Sequence, residues 1–136
     1  MNDYLFAYGT LAEDNAPAEI AGTVKELKCI GEGFISARLY DAGEYPAAIL
    51  SSRPADKVFG KIFEIPAGGR VLERLDAYEG FDPDRPRQSL FVRKRTAILC
   101  SNDKNLTGWV YEYNGNVKSL PQIKDGSYSN AATGRR

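Results

Sequence analysis

Six short runs rich in aromatic and aliphatic residues, bounded by glycine, proline or polar turns, constrain this chain most. They are YLFAY at 4–8, FISARLY at 34–40, AAILSS at 47–52, VFGKIFEI at 58–65, LFVRKRTAIL at 90–99 and LTGWVYEY at 106–113. Short apolar runs bounded by turn chemistry read as strands. Gly9 stops the first run, Asp41-Ala42-Gly43 follows the second, Pro46 precedes the third and Pro66 ends the fourth. A loop at residues 101–105 (SNDKN) joins the last two. So many strands at short spacing predict a small barrel or a strongly curled sheet. At 136 residues, one domain covering 1–136 is expected. A chain of roughly 150 residues buries about 68–70% of its unfolded surface, enough for a core without metal or disulfide staples. There is no internal repeat and no interdomain linker.

One helix is predicted, over residues 68–79 (GGRVLERLDAYE), between Pro66 and a terminating Gly80. At 100° per residue Val71, Leu72, Leu75 and Tyr78 share a face, Glu73 points away and Asp76 lies on the flank. Glu79 falls inside the apolar arc, about 50° from its centre. A weaker helical stretch is read at 17–27 (PAEIAGTVKEL), where Gly22 and β-branched neighbours oppose it. Residues 114–136 are polar, and the last of them, 129–136, read as a disordered tail.

Composition removes several chemistries. The chain has no histidine, which excludes Ser–His and Cys–His catalysis, imidazole metal sites and the usual proton carrier near neutral pH. Any acid–base work falls to a carboxylate, lysine, tyrosine or cysteine. Cys29 and Cys100 lack zinc-knuckle or redox spacing and read as buried or inert thiols. Lysine plus arginine equals aspartate plus glutamate, 18 against 18, which argues against a nucleic-acid partner. The opening MNDYLFAYGTL lacks the pattern of a signal peptide, and no apolar run approaches the roughly 18 residues of a spanning helix. A soluble, cytoplasmic protein without a membrane partner is expected.

Three local features could carry chemistry. In Tyr8-Gly9-Thr10-Leu11 a strand ends at a glycine that frees the backbone, and such a turn can offer successive N–H groups to an anion; the triplet is also compatible with an ordinary strand exit. Glu79, a carboxylate on a core-facing arc at the negative end of a helix, would have its pKa raised by desolvation and by the dipole, toward a useful base. The pattern alone leaves this open against a helix that frays after Tyr78 and a solvated Glu79. In Arg93-Lys94-Arg95 the two arginines share a strand face, and a solvated face or pairing with nearby acids is favoured over nucleic-acid binding. There is no P-loop, dinucleotide fingerprint or nucleophile elbow.

Taken together, these stretches resemble the γ-glutamylcyclotransferase-like, or AIG2-like, family. YLFAYGTL at 4–11 is similar to its opening signature, and LYDAGEYPAAI at 39–49, VFGKIFEI with LERLDAYEG across 58–80, and LFVRKRTAIL with GWVYEY across 90–113 follow in order. The resemblance, covering about 4–113, implies an α+β fold with a small mixed β-barrel flanked by helices. It implies release of 5-oxoproline from a small-molecule γ-glutamyl amine or amide by attack of the substrate's own α-amine, with no metal and no cofactor. It places the glutamyl-binding loop at Tyr8, Gly9, Thr10 and Leu11, the proton shuttle at Glu79, and further substrate-binding positions at Tyr45, Arg93 and Tyr111. Phe91 stands where relatives often show tyrosine. The protein is expected to be a monomer or weak dimer. The alternative is a non-catalytic module binding a small carboxylate or amide on the same fold.

Overall fold

A computed structural model describes residues 3–8, 22–43, 45–66 and 70–127. Its strands are β1 (Asp3–Ala7), β2 (Lys28–Ile35), β3 (Ala37–Asp41), β4 (Pro46–Leu50), β5 (Val58–Ile65), β6 (Phe91–Cys100) and β7 (Asn105–Tyr113), with helix α1 (Val71–Glu79) and a 3-10 turn (Pro86–Gln88) between β5 and β6. Five strands close into a barrel in the order β1-β5-β2-β6-β7, and β3 pairs with β4 in a separate two-stranded sheet. The barrel is mixed. Its ladders are antiparallel except at the seam, where β1 meets β7 in parallel through Leu5 and Trp109. The fold is α+β, as the family resemblance implies.

The period-2 alternation of β1 organises the interior. Leu5 and Ala7 join Phe63, Ile65, Phe91 and Tyr111 in a cluster that also receives Val71 and Leu75 of α1. Phe6 and Tyr8 join Val58, Ile62, Ile98 and Val110 in a second cluster, closed by Ala37, Leu39 and Ala48 of the hairpin. Successive strand residues point to opposite faces, so a strand buried on both sides reads as the unbroken apolar run seen at 4–8.

Strand β5 coincides with its predicted run, and β1, β4, β6 and β7 lie within a residue or two of theirs. Two readings are corrected. The run 34–40 is not one strand: it breaks at Ser36, where the chain leaves β2 and enters β3. Ile35, Ala37 and Leu39 are all buried, so the alternation continues across the break and conceals it. Most of β2 was missed. Its residues 28–32 are exposed and carry lysine, glycine and glutamate, all depleted in strands; the segment is held by backbone pairing to β5, with a register shift between Cys29 and Gly31.

Of the weaker helical stretch, residues 22–24 are helical before a turn leads into β2; residues 17–21, and the expected disordered tail, lie outside the described residues. Helix α1 begins at Val71 rather than 68, with 67–69 also outside them. Residues 114–127 are largely irregular but attached: the Ile123 N–H donates to the Leu39 carbonyl at 2.7 Å and the Asp41 N–H to that of Pro121 at 2.8 Å. Both cysteines are free thiols, and neither is buried: Cys29 is exposed and Cys100 half-buried. No helix among the described residues is long and apolar enough to cross a membrane.

Barrel closure leaves positions where only glycine fits, Gly60 and Gly33 among them. A Cβ on Gly60 of β5 would stand 2.3 Å from the Ala7 carbonyl oxygen and 2.9 Å from Cζ of Phe6. Backbone, not a flexible side-chain tip, blocks it. Gly60→Ala is therefore expected to lower the unfolding free energy by about 2 kcal/mol or more, read from the midpoint of a denaturant titration.

Candidate active site

Four parts of the fold converge on a cavity of about 160 Å³. Strand β1 and the residue after it supply Leu5 to Tyr8, the hairpin supplies Tyr45 and Pro46, α1 supplies Tyr78 and Glu79, and the barrel wall adds Leu90, Phe91 and Tyr111. This volume holds several waters but falls below the roughly 300–1,000 Å³ of a drug-sized site. It suits a small ligand or one end of a larger one.

Glu79 reaches this cavity because of how its helix ends. Gly80 adopts a left-handed conformation (φ 71°, ψ 34°), open to glycine without steric cost. Its N–H donates to the Ala77 carbonyl at 3.3 Å, and the Phe81 N–H donates to that of Asp76 at 2.8 Å, the paired bonds of a Schellman termination. The Leu90 N–H then donates to the Gly80 carbonyl at 3.0 Å, tying the helix end to the chain entering β6. The helix thus does not fray at Tyr78: α1 runs through Glu79, which is half-buried on the cavity. Among the described residues its carboxylate has no hydrogen-bond or ion-pair partner. Burial pushes its pKa from the ordinary 4.5 to about 7, because desolvation penalises the charged form.

Two tyrosines stand beside it. The Tyr8 hydroxyl donates to the Tyr111 carbonyl and accepts the Ala48 N–H at 3.4 Å, joining β1, β7 and the hairpin at one oxygen. The Tyr111 hydroxyl donates to Oδ1 of Asp76 at 2.7 Å. Burial, with a smaller contribution from the Glu79 charge, raises the Tyr8 pKa. Burial, followed by the Asp76 hydrogen bond and charge, does the same at Tyr111. Both phenols stay neutral near physiological pH, and Glu79 is the only carboxylate among the described lining residues.

Of the eight positions singled out in the sequence, Glu79, Tyr8, Tyr45 and Tyr111 meet at this cavity. Gly9, Thr10 and Leu11 lie outside the described residues. Arg93 is not among the described residues that line the cavity. It sits on β6 opposite Tyr111, with Nε 3.4 Å from Oδ1 of Asp76 and its guanidinium 4.5 Å from the Trp109 ring centroid. Arg95 stacks on the same ring at 4.7 Å, and Lys94 pairs with Glu112. The basic triplet meets acidic and aromatic neighbours, but Nη1 of Arg93 is buried with no hydrogen-bond partner among the described residues.

Asp76 is the residue missed. It is 6% exposed, and one of its oxygens serves both Tyr111 and Arg93. Burial raises its pKa, opposed by the Tyr111 hydrogen bond and then the Arg93 charge. Its flank position on the helix gave little reason to bury it; the available signal was its place in LDAYEG, three residues before Glu79.

The profile of the family described as gamma-glutamyl cyclotransferase, AIG2-like, matches residues 5–130. The chain belongs to this family. A curated relative from Methanocaldococcus jannaschii, provisionally named a gamma-glutamylcyclotransferase, is 25% identical over 111 residues, covering 82% of this chain and 84% of its own. Among solved structures, a mouse AIG2-like protein superposes with a TM-score of 0.69 at 20% identity, over 90% of this chain and 86% of its own. The YkqA protein of Bacillus subtilis gives 0.71 at 16% identity, over 100% of this chain and 44% of its own. These likenesses share the barrel fold.

The sign of the Glu79 effect on stability follows from its raised pKa. Between pH 4.5 and about 7 the folded state holds a proton that the unfolded state has released, so stability falls as pH rises through this window and the full cost is present above it. Glu79→Gln is expected to match wild type in stability below pH 4.5 and to exceed it above pH 7, by up to about 3 kcal/mol, in denaturant titrations across pH. Tyr111→Phe, which leaves Asp76 without its hydroxyl donor, is expected to cost about 1–3 kcal/mol in the same measurement.

Proposed function

We propose that the protein is a γ-glutamyl cyclotransferase that converts a γ-glutamyl amine or amide into 5-oxoproline and a free amine, with Glu79 as the proton shuttle. The substrate brings its own nucleophile. Its neutral α-amine attacks the γ-carbonyl carbon, a C–N bond closes the five-membered ring, and the Glu79 carboxylate takes the proton lost by that nitrogen. The tetrahedral intermediate then collapses, the bond to the leaving nitrogen breaks, and Glu79 returns the proton to it. Atoms and charges balance without an external nucleophile, metal or cofactor.

The observation that carries this reading is the Glu79 carboxylate itself: half-buried at a capped helix end and facing a small cavity, where burial pushes its pKa up to about 7. A group that must both take and give a proton works best with a pKa near the working pH. The neutral phenols beside it are poor competitors for that role. The cavity contributes by holding a flexible glutamyl chain folded, since intramolecular geometry can supply much of the rate. In this reading Tyr8, Tyr45 and Tyr111 shape the glutamyl pocket, and backbone N–H groups of Gly9, Thr10 and Leu11 meet its oxygens. Arg93 acts at one remove, through the Asp76–Tyr111 pair.

Incubation with a panel of γ-glutamyl amides is expected to release 5-oxoproline, followed by chromatography. Thermal stabilisation by these compounds with no product would instead favour a binding module. Glu79→Gln is expected to lower kcat by about 100-fold or more; unchanged turnover would remove the proton-shuttle role. The base must be ionised to act, so kcat/KM of the wild type is expected to rise with pH to an acid-limb midpoint near 7, and a midpoint near 4.5 would contradict the burial of Glu79.

A further inference from the structure

Arg93 carries a hydrogen-bond donor that the fold leaves unmet. Its Nη1 is buried and has no partner among the described residues, and Nε1 of Trp109 beside it is in the same state. Sealing a donor away unpaired is costly, and each such group in a native fold calls for a reason. A guanidinium placed for its own hydrogen bonds would not be left this way. Something else sets where its plane lies.

The contacts show what that is. Nε of Arg93 stands 3.4 Å from Oδ1 of Asp76. The guanidinium carbon lies 5.9 Å from the Phe81 ring centroid and 4.5 Å from that of Trp109. Asp76 and Phe81 bracket Glu79, and they are the two ends of one bond of the helix cap, in which the Phe81 N–H donates to the Asp76 carbonyl at 2.8 Å. A single side chain of β6 thus touches both ends of the turn that closes α1, with the indole of β7 behind it. Arginine suits this task, since its flat head can stack on rings while its edge meets a carboxylate. Arg95 offers the comparison. It stacks on the same indole at 4.7 Å, but its acid, 4.0 Å away, is Asp3 of β1.

We infer that Arg93 is a positioning residue for the Glu79 carboxylate: by gripping Asp76 and Phe81 it fixes the 76–81 turn against β6 and β7 and so keeps Glu79 on the cavity. The effect on turnover rests on the cyclotransferase reading; the effect on the helix end does not. The unmet Nη1 follows from the placement, because the acid and the two rings set the plane of the guanidinium. Around Glu79 the described titratable groups on the cavity are the phenols of Tyr8, Tyr45, Tyr78 and Tyr111. Around Asp76 they are Tyr111, Arg93 and Glu73 of its own helix.

Turnover is measured with the γ-glutamyl amide that the wild type converts fastest. Arg93→Met is expected to lower kcat by about 10-fold or more, to leave KM unchanged, and to move the acid-limb midpoint of kcat/KM down from about 7 toward 4.5 as Glu79 gains water. Asp76→Asn, which can still accept the Tyr111 hydroxyl, is expected to act in the same direction, and the double variant to be no worse than Arg93→Met. Arg95→Met is expected to match the wild type. Without substrate, the stability that Glu79→Gln gains above pH 7 is expected to shrink when Arg93→Met is also present. Should Arg93→Met not fold, Arg93→Lys, which keeps a cation and gives up the planar stack, is expected to show the same changes in smaller measure. A raised KM with kcat and midpoint unchanged makes Arg93 a substrate ligand and overturns the inference. Fully additive losses in the double variant, or an undiminished Glu79→Gln gain, overturn it as well, and all three leave the cyclotransferase reading standing. No 5-oxoproline from the wild type with any amide overturns that reading instead, and the inference is then decided by the stability comparison.

Discussion

Leu5 and Ala7 of β1 face one apolar cluster while Phe6 and Tyr8 face the other, so this strand has no side left for water. Everything around it answers that requirement. Helix α1 covers one face, the hairpin of β3 and β4 helps cover the other, and β5 and β7 take its two edges. The strand ends where these layers meet, and Tyr8, the residue after it, joins three elements through a single oxygen. The cavity therefore lies at the junction of the two clusters and needs no separate scaffold.

The Glu79 carboxylate is placed at the expense of stability. Surface glutamates at helix C-termini are disfavoured by the dipole, and this one is also partly desolvated. The Schellman cap at Gly80 denies it the easy escape of unwinding the last turn. Asp76, one helical turn earlier, meets the opposite fate: 6% exposed and so less accessible than Glu79, it is given a hydroxyl and a guanidinium. Two acids of one short helix thus divide into a supplied one that orders Tyr111 and an unsupplied one left to titrate. Such a separation of environments is how neighbouring acids acquire different roles.

The barrel was legible because most of its strands are buried on a face, and burial imprints itself on sequence as alternation or as an unbroken apolar run. Strand β2 was illegible for the converse reason: exposed over residues 28–32, it is specified by backbone pairing, which leaves little mark on residue type. The break at Ser36 was hidden because Ile35, Ala37 and Leu39 keep one rhythm while changing sheets. At the site, Glu79 could be placed by helical periodicity, yet its last-turn position was decided only by the hydrogen bonds of Gly80 and Phe81. For Arg93 the residue pattern favoured a solvated face or pairing with a nearby acid, and Asp76, on a helix flank, is that acid; only the resemblance placed it among the substrate-binding positions.

The parallel seam between β1 and β7 joins residues 5 and 109, far apart in a chain of 136 residues. Contacts between such distant positions carry the largest loop-closure entropy and form slowly. The pocket straddles this seam, with Leu5 to Tyr8 on one bank and Tyr111 on the other. A growing chain that has not yet produced β7 can complete the β1–β5–β2 ladders and α1, but it has only half a pocket. The lining of the cavity is therefore complete only when the barrel is closed.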